Sequence, residues 1–381
     1  MIVRDVVPRA LLDAAATTPT PAVLYDLAAI GETVAELRRD LSPIPDVLLC
    51  FAVKANRCPA VLRHLAGLGL GADIASPAEL DLALAAGMKV ITATAPALSA
   101  PDLAGFHERG VLLDVSSVSQ LRVFLDEVGP GARLGLRVRI PVSPAERTGK
   151  GIEWSRFGVD PADPELHELL RRYHVEVVRL HAHSGELMTA RRARQLTTAL
   201  LACAEQFPAV TTLNLGGGLA ALYTRPAEAR QAWAEVSAAL ARFADERGRR
   251  FQIVVEPGML LTALAGYLVV SVRAVDGHPA GHRVATVDAS AWNLLAWTAP
   301  RLVAQIPHRS TPVDTYAVAG ASCYEEDYVT RETRAAGLRV GDRLVFNAAG
   351  AYVTSMARSM HGLALPYEAA LVPIQQGNFT E

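Results

Sequence analysis

The chain has 381 residues, 37 of them basic and 39 acidic, for a formal net charge of −2, and 51% of it is hydrophobic. These figures exclude a disordered tail and a collagen-like rod, and the balanced charge, without a basic block, argues against a nucleic-acid groove or a polybasic membrane patch. A chain of this length removes roughly three quarters of its unfolded surface from water, so its core needs no metal or disulfide staple.

From residue 22 onward, short apolar or β-branched runs alternate with longer stretches of helical period. The strand candidates are Ala22 to Tyr25, Val47 to Val53, Ala72 to Ala75, Val90 to Ala93, Val111 to Val115, Arg133 to Val138, Val175 to His181, Thr211 to Leu215 and Gln252 to Glu256. Helix-like segments lie between them, among them Ala28 to Leu41, Pro77 to Ala86, Ala190 to Gln206 and Pro226 to Glu246. So many strand-helix units fit an α/β fold of the (β/α)8 barrel type better than an open doubly wound sheet. Ala22 to Tyr25 is read as the first barrel strand.

After Glu256 the helical period disappears. Gly266 to Val275, Arg283 to Val287, Thr315 to Ala319 and Asp342 to Phe346 alternate with Gly, Pro and Asp turns, which predicts an all-β second domain. The expected division is a barrel over 21–258 and a β domain built from 1–20 and 259–381. The N-terminus lacks a basic segment followed by an apolar one, and no apolar run reaches about 18 residues uninterrupted. The cysteines Cys50, Cys58, Cys203 and Cys323 form no C-x-x-C pair, so the expectation is a soluble cytoplasmic protein with reduced thiols.

Lysine chemistry has only three candidates, Lys54, Lys89 and Lys150, because arginine carries almost all the basic charge. Lys89 and Lys150 follow helix and loop signals and read as surface charge. Lys54 ends the apolar run Leu48 to Val53, at the C-terminal strand end where barrel enzymes place reacting groups. An amine that must deprotonate is one reason for a lysine to persist where arginine has replaced the others.

Gly216, Gly217 and Gly218 follow another strand, where backbone N–H groups can cradle an anion such as phosphate. Glu256 closes a further strand before Pro257 and Gly258, and a carboxylate there needs a cationic or protonated partner. His181 and His183, two apart, would share one side of a strand. They could hold a metal, as in a zinc-dependent barrel hydrolase, but the other strand ends offer no further histidine and only Glu256 as a carboxylate. A single imidazole packed flat against an aromatic cofactor is the stronger reading. Pyridoxal 5′-phosphate (PLP) unites these parts, since it takes a lysine, phosphate donors and a charged partner for its ring nitrogen.

The segments Phe51 to Asn56, Ala72 to Ser76 with Glu79, Ser155 to Gly158, His181 to Gly185, Gly216 to Gly218, Glu256 to Gly258, Gly320 to Cys323 with Asp327, and Gly341-Asp342 through Gly350 to Tyr352 resemble, in unbroken order over residues 20 to 365, the fold-type III, group IV PLP-dependent amino-acid decarboxylases. That family includes the diaminopimelate, ornithine and arginine decarboxylases. The resemblance implies an alanine-racemase-like barrel, a C-terminal β domain and a head-to-tail homodimer with shared active sites. It makes Lys54 the Schiff-base lysine and lays His183 against the cofactor ring. Gly216, Gly217, Gly218, Glu256, Pro257, Gly258, the following Met259 and Tyr352 become cofactor contacts, with Glu256 also at the ring nitrogen. Cys323 and Asp327 would reach substrate from the partner subunit, Cys323 helping to protonate the product. Tyr324, Glu325 and Arg301 join Asp327 as substrate-binding candidates.

Several positions depart from the diaminopimelate decarboxylase pattern. Met259 stands where an arginine is usual, Tyr324 where an acidic residue follows the cysteine, and the segment around Ala296-Trp297 replaces an Arg-Pro, with Arg301 nearby. Glu186 stands for Ser, and Met360-His361-Gly362 for Phe-Asn-Gly. Losing two arginine clamps changes carboxylate recognition by several kcal/mol, about 1.5 to 3 for each charged hydrogen bond. The expectation is therefore a decarboxylase of a non-standard α-amino acid from specialised metabolism, such as a siderophore precursor. Diaminopimelate decarboxylation is the first alternative, and a racemase or a non-catalytic PLP-binding regulator on the same fold the next.

Overall fold

The computed structural model describes residues 7–140, 155–279, 281–294, 299–310 and 312–371. Lys150 and Ala296-Trp297 lie outside the described residues. The chain divides into two compact units, one made of Ala35–Lys54 with Leu65–Leu260, the other of Ile2–Val34, Ala55–His64 and Leu261–Glu381.

Helix α1 (Arg9–Thr17) and strand β1 (Ala22–Asp26) open the described chain, and α2 (Leu27–Leu41) follows. The first unit is then a closed barrel of eight parallel strands: β2 (Val47–Ala52), β3 (Gly71–Ile74), β4 (Ile91–Ala93), β5 (Leu112–Val115), β6 (Arg133–Arg137), β7 (Glu176–His181), β8 (Thr212–Asn214) and β9 (Gln252–Val255), with β9 pairing back onto β2. Between successive strands run α3 (Pro59–Gly67), α4 (Pro77–Ala85), α5 (Ala100–Glu108), α6 (Val118–Val128), α7 (Pro164–Arg172), α8 (Ala190–Ala204) and α9 (Pro226–Arg247). Their starts are written in the sequence. The hydroxyls of Ser76, Ser99, Ser117 and Thr189 each accept a backbone N–H of the first helical turn, which satisfies donors that the helix itself cannot.

The second unit is mostly sheet; besides α1 and parts of α2 and α3 it holds the short helix α11 (Ala291–Leu294), and α10 (Met259–Thr262) straddles the division. Strands β10 (Gly266–Gly277), β11 (Arg283–Val287), β12 (Leu302–Ile306), β13 (Val313–Ala319), β14 (Tyr328–Ala336) and β15 (Arg343–Phe346) take the order β12-β15-β10-β11-β13-β14. Strand β16 (Tyr367–Leu371) and β1 complete it.

The placement of β1 corrects the sequence reading. Ala22 pairs with Val269 of β10 and Tyr367 of β16, so this strand belongs to the mixed sheet and not to the barrel. Its side chains join Leu11, Ala15, Tyr267, Val269 and Val345 in one apolar cluster. All five residues of β1 are buried, and a strand covered on both faces carries the same unbroken apolar run whether it lies in a barrel or inside a mixed sheet. The next eight strand candidates are the eight barrel strands.

Candidate active site

The barrel strands end in a cluster of charged groups. Lys54 lies in a short 3-10 turn directly after β2, and its Nζ donates to Asp73 Oδ2 on β3 at 2.9 Å. Asp73 is buried, and burial, followed by the charge of Glu256, pushes its carboxyl up to about 6 against the opposing pull of Lys54. Its Oδ1 has no hydrogen-bond partner among the described residues.

Opposite, on β5 and β7, Arg179 Nε donates to Asp114 Oδ1 at 2.8 Å, and His181 Nδ1 lies 3.1 Å from Asp114 Oδ2 and 3.2 Å from Thr94 Oγ1. Both members of the Arg179–Asp114 pair are buried. Gly135 of β6 makes room for them, because a Cβ there would collide with the Asp114 carboxylate. Although burial works against it, Arg179 and His181 hold the Asp114 carboxyl below the usual carboxylate range.

Glu256 follows β9. Asn214, the last residue of β8, donates from Nδ2 to Glu256 Oε1 at 2.6 Å, and its own Oδ1 accepts the Gly216 N–H at 2.9 Å. Burial alone would raise the Glu256 carboxyl. His181, Lys54 and the Asn214 hydrogen bond outweigh it and hold the group below its ordinary value, so Glu256 stands as a buried carboxylate.

The three glycines are required by sterics. Gly216 and Gly218 have φ of +69° and +76°, and a Cβ on Gly216 would meet His183 Nδ1 at 2.8 Å. On Gly217 it would meet the Glu256 carbonyl oxygen at 2.5 Å, and on Gly218 it would strike the Gly185 carbonyl. Gly218 in turn accepts the Leu187 N–H at 2.7 Å, and Pro257 accepts the Ala52 N–H at 3.3 Å, which ties the turn after β9 to β2. His183 is exposed, yet the protein around it lowers the imidazole to about 4, through desolvation first and then the charges of Arg137 and His181. It is therefore neutral near pH 7.

The sequence reading brought together Lys54, His183, Gly216, Gly217, Gly218, Glu256, Pro257, Gly258 and Met259, and the barrel carries all of them at strand ends or just beyond. It does not single out Asp73, Asp114 and Arg179, which lie within β3, β5 and β7 and not at their ends. The metal reading from His181 and His183 also changes. The described trio whose donor atoms lie within 4.8 Å of one another is Asp114, His181 and Glu256, without His183. Asp114 already carries the Arg179 guanidinium, which disfavours a cation there. Glu186 uses its carboxylate locally, accepting the Ala221 N–H at 3.2 Å.

The remaining candidates lie in the second unit. Tyr352 has φ of +56°, and its N–H donates to Ala55 O at 2.8 Å. Gly350, against which Asn56 Nδ2 donates at 2.9 Å, packs so tightly on Thr262 that no side chain fits. Cys323 is an exposed free thiol, and Tyr324 and Glu325 beside it are exposed too. Asp327 departs from the expectation of a substrate contact. It is buried, its two oxygens accept the N–H groups of Ala291 at 2.8 Å and Ser322 at 3.0 Å, and it shapes the loop that carries Cys323. Arg301 is exposed, with its backbone tied to Asn347 at 3.0 Å. Sequence reasoning gave no signal for an aromatic stack in which Tyr324 lies 5.1 Å from Trp292 and 5.6 Å from His361, centroid to centroid, with Arg358 at 5.9 Å over Trp292.

Fold and site together define a class, the barrel enzymes of fold type III that use PLP. Within it the chain belongs to the pyridoxal-dependent decarboxylase family, whose pyridoxal-binding domain matches residues 27–263. It is a carboxy-lyase, and the racemase, regulator and hydrolase alternatives give way to that finding. Over 97% of its length it is 27% identical to the diaminopimelate decarboxylase of Aquifex aeolicus, covering 90% of that protein. It is 30% identical to the enzyme of the same name from Pseudomonas aeruginosa over 87% of this chain and 83% of that one. The structure of diaminopimelate decarboxylase from Helicobacter pylori complexed with L-lysine superposes with a TM-score of 0.82, 23% identity and coverage of 95% and 94% of the two chains. A lysine/ornithine decarboxylase from Vibrio vulnificus complexed with putrescine gives 0.77 and 20%, covering 95% and 97%. Among the described residues no helix is long and apolar enough to cross a membrane.

The barrel residues fit the cofactor. The glycine cradle has no room for side chains of its own, and Glu256 is held ionised, as a partner for a protonated ring nitrogen must be. Beside them, the buried polar atoms Asp73 Oδ1 and His181 Nε2 have no hydrogen-bond partner among the described residues.

Proposed function

We propose that this enzyme decarboxylates meso-diaminopimelate or a close diamino-acid analogue. The observation that carries the reading is similarity to diaminopimelate decarboxylases along nearly the whole chain, 97% of it in one case. This ranks above the specialised-metabolism substrate that the sequence departures suggest. Lys54 would hold the cofactor covalently, with Gly216, Gly217, Gly218 and the Glu256-Pro257-Gly258 turn at its phosphate, Tyr352 adding a contact and Glu256 at its ring nitrogen. Bound PLP supplies the electron sink into which the electrons left by departing CO2 are drawn.

The chain's own residues do the rest. Neutral His183 offers a flat apolar face to the ring, and buried Glu256 fixes the ring's protonation. Cys323, supplied by one protomer to the site of the other in a head-to-tail homodimer, would return a proton to the product carbon.

A second reading rests on a specific observation. Met259 and Tyr324 stand where the family resemblance expects charged contacts to the substrate's far end, and Tyr324 is part of an aromatic stack with Trp292 and His361. A bulkier distal group would suit such side chains, whereas a distal carboxylate buried without a cation would be costly. Steady-state comparison of meso-diaminopimelate, ornithine, lysine, arginine and citryl-diaminopropionate decides between them. The main reading expects by far the highest kcat/KM for meso-diaminopimelate, and the second expects it for a conjugated substrate.

A further inference from the structure

We propose that His181 is a positioning residue for the decarboxylation: clamped at Nδ1 by Asp114 and Thr94, it turns Nε2 toward Glu256 and keeps that carboxylate ionised and fixed for the cofactor's ring nitrogen. The inference rests on Glu256 being the ring-nitrogen partner.

The clamp is rigid because Asp114 is itself held by Arg179 at 2.8 Å, and the three side chains are almost fully buried. Glu256 is pinned on one oxygen by Asn214 at 2.6 Å, while its Oε2 lies 3.7 Å from His181 Nε2. That nitrogen is buried and makes no hydrogen bond among the described residues. Tautomer logic then fixes the role. Nδ1 faces the Asp114 carboxylate and Nε2 faces that of Glu256, so a donor on the Nε2 side is what orients the Glu256 oxygen.

The other groups that bear on Glu256 are Cys50 and Lys54 from β2 and its turn, Asp73 from β3, Asp114 from β5, Arg137 from β6, Arg179 from β7, and His183 beyond it. Of the cations, Arg179 is committed to Asp114 and Lys54 is the residue that PLP engages. Arg137 acts on Glu256 only through its charge, whereas His181 brings a ring nitrogen to within 3.7 Å of Glu256 Oε2.

The test uses holoenzyme of His181→Phe, His181→Gln and Glu256→Gln, measured by PLP content, by the pH titration of the cofactor's visible absorbance, and by kcat and KM. For His181→Phe the absorbance transition should move by on the order of one pH unit, and kcat should fall about tenfold or more with KM little changed. His181→Gln restores a donor without a charge and should recover part of kcat while keeping a shifted titration; it carries the test if the Phe variant does not fold. Wild-type titration and kcat in both His181 variants, with only thermal stability lowered, would make His181 a packing residue and overturn the proposal. Glu256→Gln separates the two layers. If it titrates like the wild type, the ring-nitrogen assignment itself fails; if it shifts while the His181 variants do not, only the role of His181 fails.

Discussion

Lys54 and Asp73 meet as an ion pair of unequal partners: Nζ and Oδ2 are 2.9 Å apart, but the lysine side chain is 47% exposed and the aspartate 1%. The aspartate thus bears the desolvation, and its carboxyl is raised to about 6. Because the folded value lies above the unfolded one, the contribution of this group to stability is full below about pH 4 and is lost as the pH rises through 6. Asp73→Asn, permanently neutral, should raise the melting temperature of the cofactor-free protein at about pH 8 and leave it unchanged at about pH 4. A variant less stable than wild type at the higher pH would mean that the Lys54 attraction outweighs burial.

His183 has the opposite sign. Its imidazole is lowered to about 4 from an unfolded value near 6.5, so its contribution is present above 6.5 and is lost as the pH falls toward 4. His183→Phe should flatten the acid side of the melting-temperature profile in that window. In the holoenzyme the same change should retain an apolar ring face, whereas His183→Ala should lower kcat by about 10- to 100-fold.

The glycine cradle gives a steric prediction. Gly217→Ala places its Cβ 2.5 Å from the Glu256 carbonyl oxygen, and Gly218→Ala adds a strained φ of +76°. Each should destabilise the fold by about 1–3 kcal/mol and weaken PLP binding by at least about tenfold. Thermal denaturation and cofactor titration read the two effects separately. Gly248, whose φ is also positive but whose Cβ would meet nothing within 4 Å, is the control.

How much of this was written in the sequence follows from the range of each interaction. Lys54, the glycines and Glu256 were legible because each sits at the end of an apolar run, and strand ends are where a barrel gathers its groups. Asp73, Asp114 and Arg179 were not, because they lie within strands and look like isolated charges until closure of the barrel brings β3, β5 and β7 together. Asp327 was misread for the converse reason: its partners are backbone N–H groups of Ala291 and Ser322, which a residue pattern does not display. The barrel itself was legible, but β1 was not assignable, since full burial erases the alternation that distinguishes one sheet environment from another.

The proposal that Cys323 serves the site of a second protomer predicts complementation. Lys54→Ala and Cys323→Ala proteins should each be impaired alone, and mixing them under conditions that exchange subunits should restore part of the activity, because one hybrid site recovers both residues. Activity in the mixture equal to the average of the two pure variants would place lysine and thiol within the same protomer or remove Cys323 from the reaction.

Everything proposed for the site depends on Lys54 being the residue that binds PLP. Borohydride reduction of the PLP-loaded protein fixes the cofactor to the amine that holds it, and peptide mass spectrometry then reads the position directly. With only Lys54, Lys89 and Lys150 available, the pyridoxyl adduct should fall on the peptide containing Lys54, together with loss of the visible band. An adduct on Lys89 or Lys150, or none at all in protein that retains activity, would contradict it.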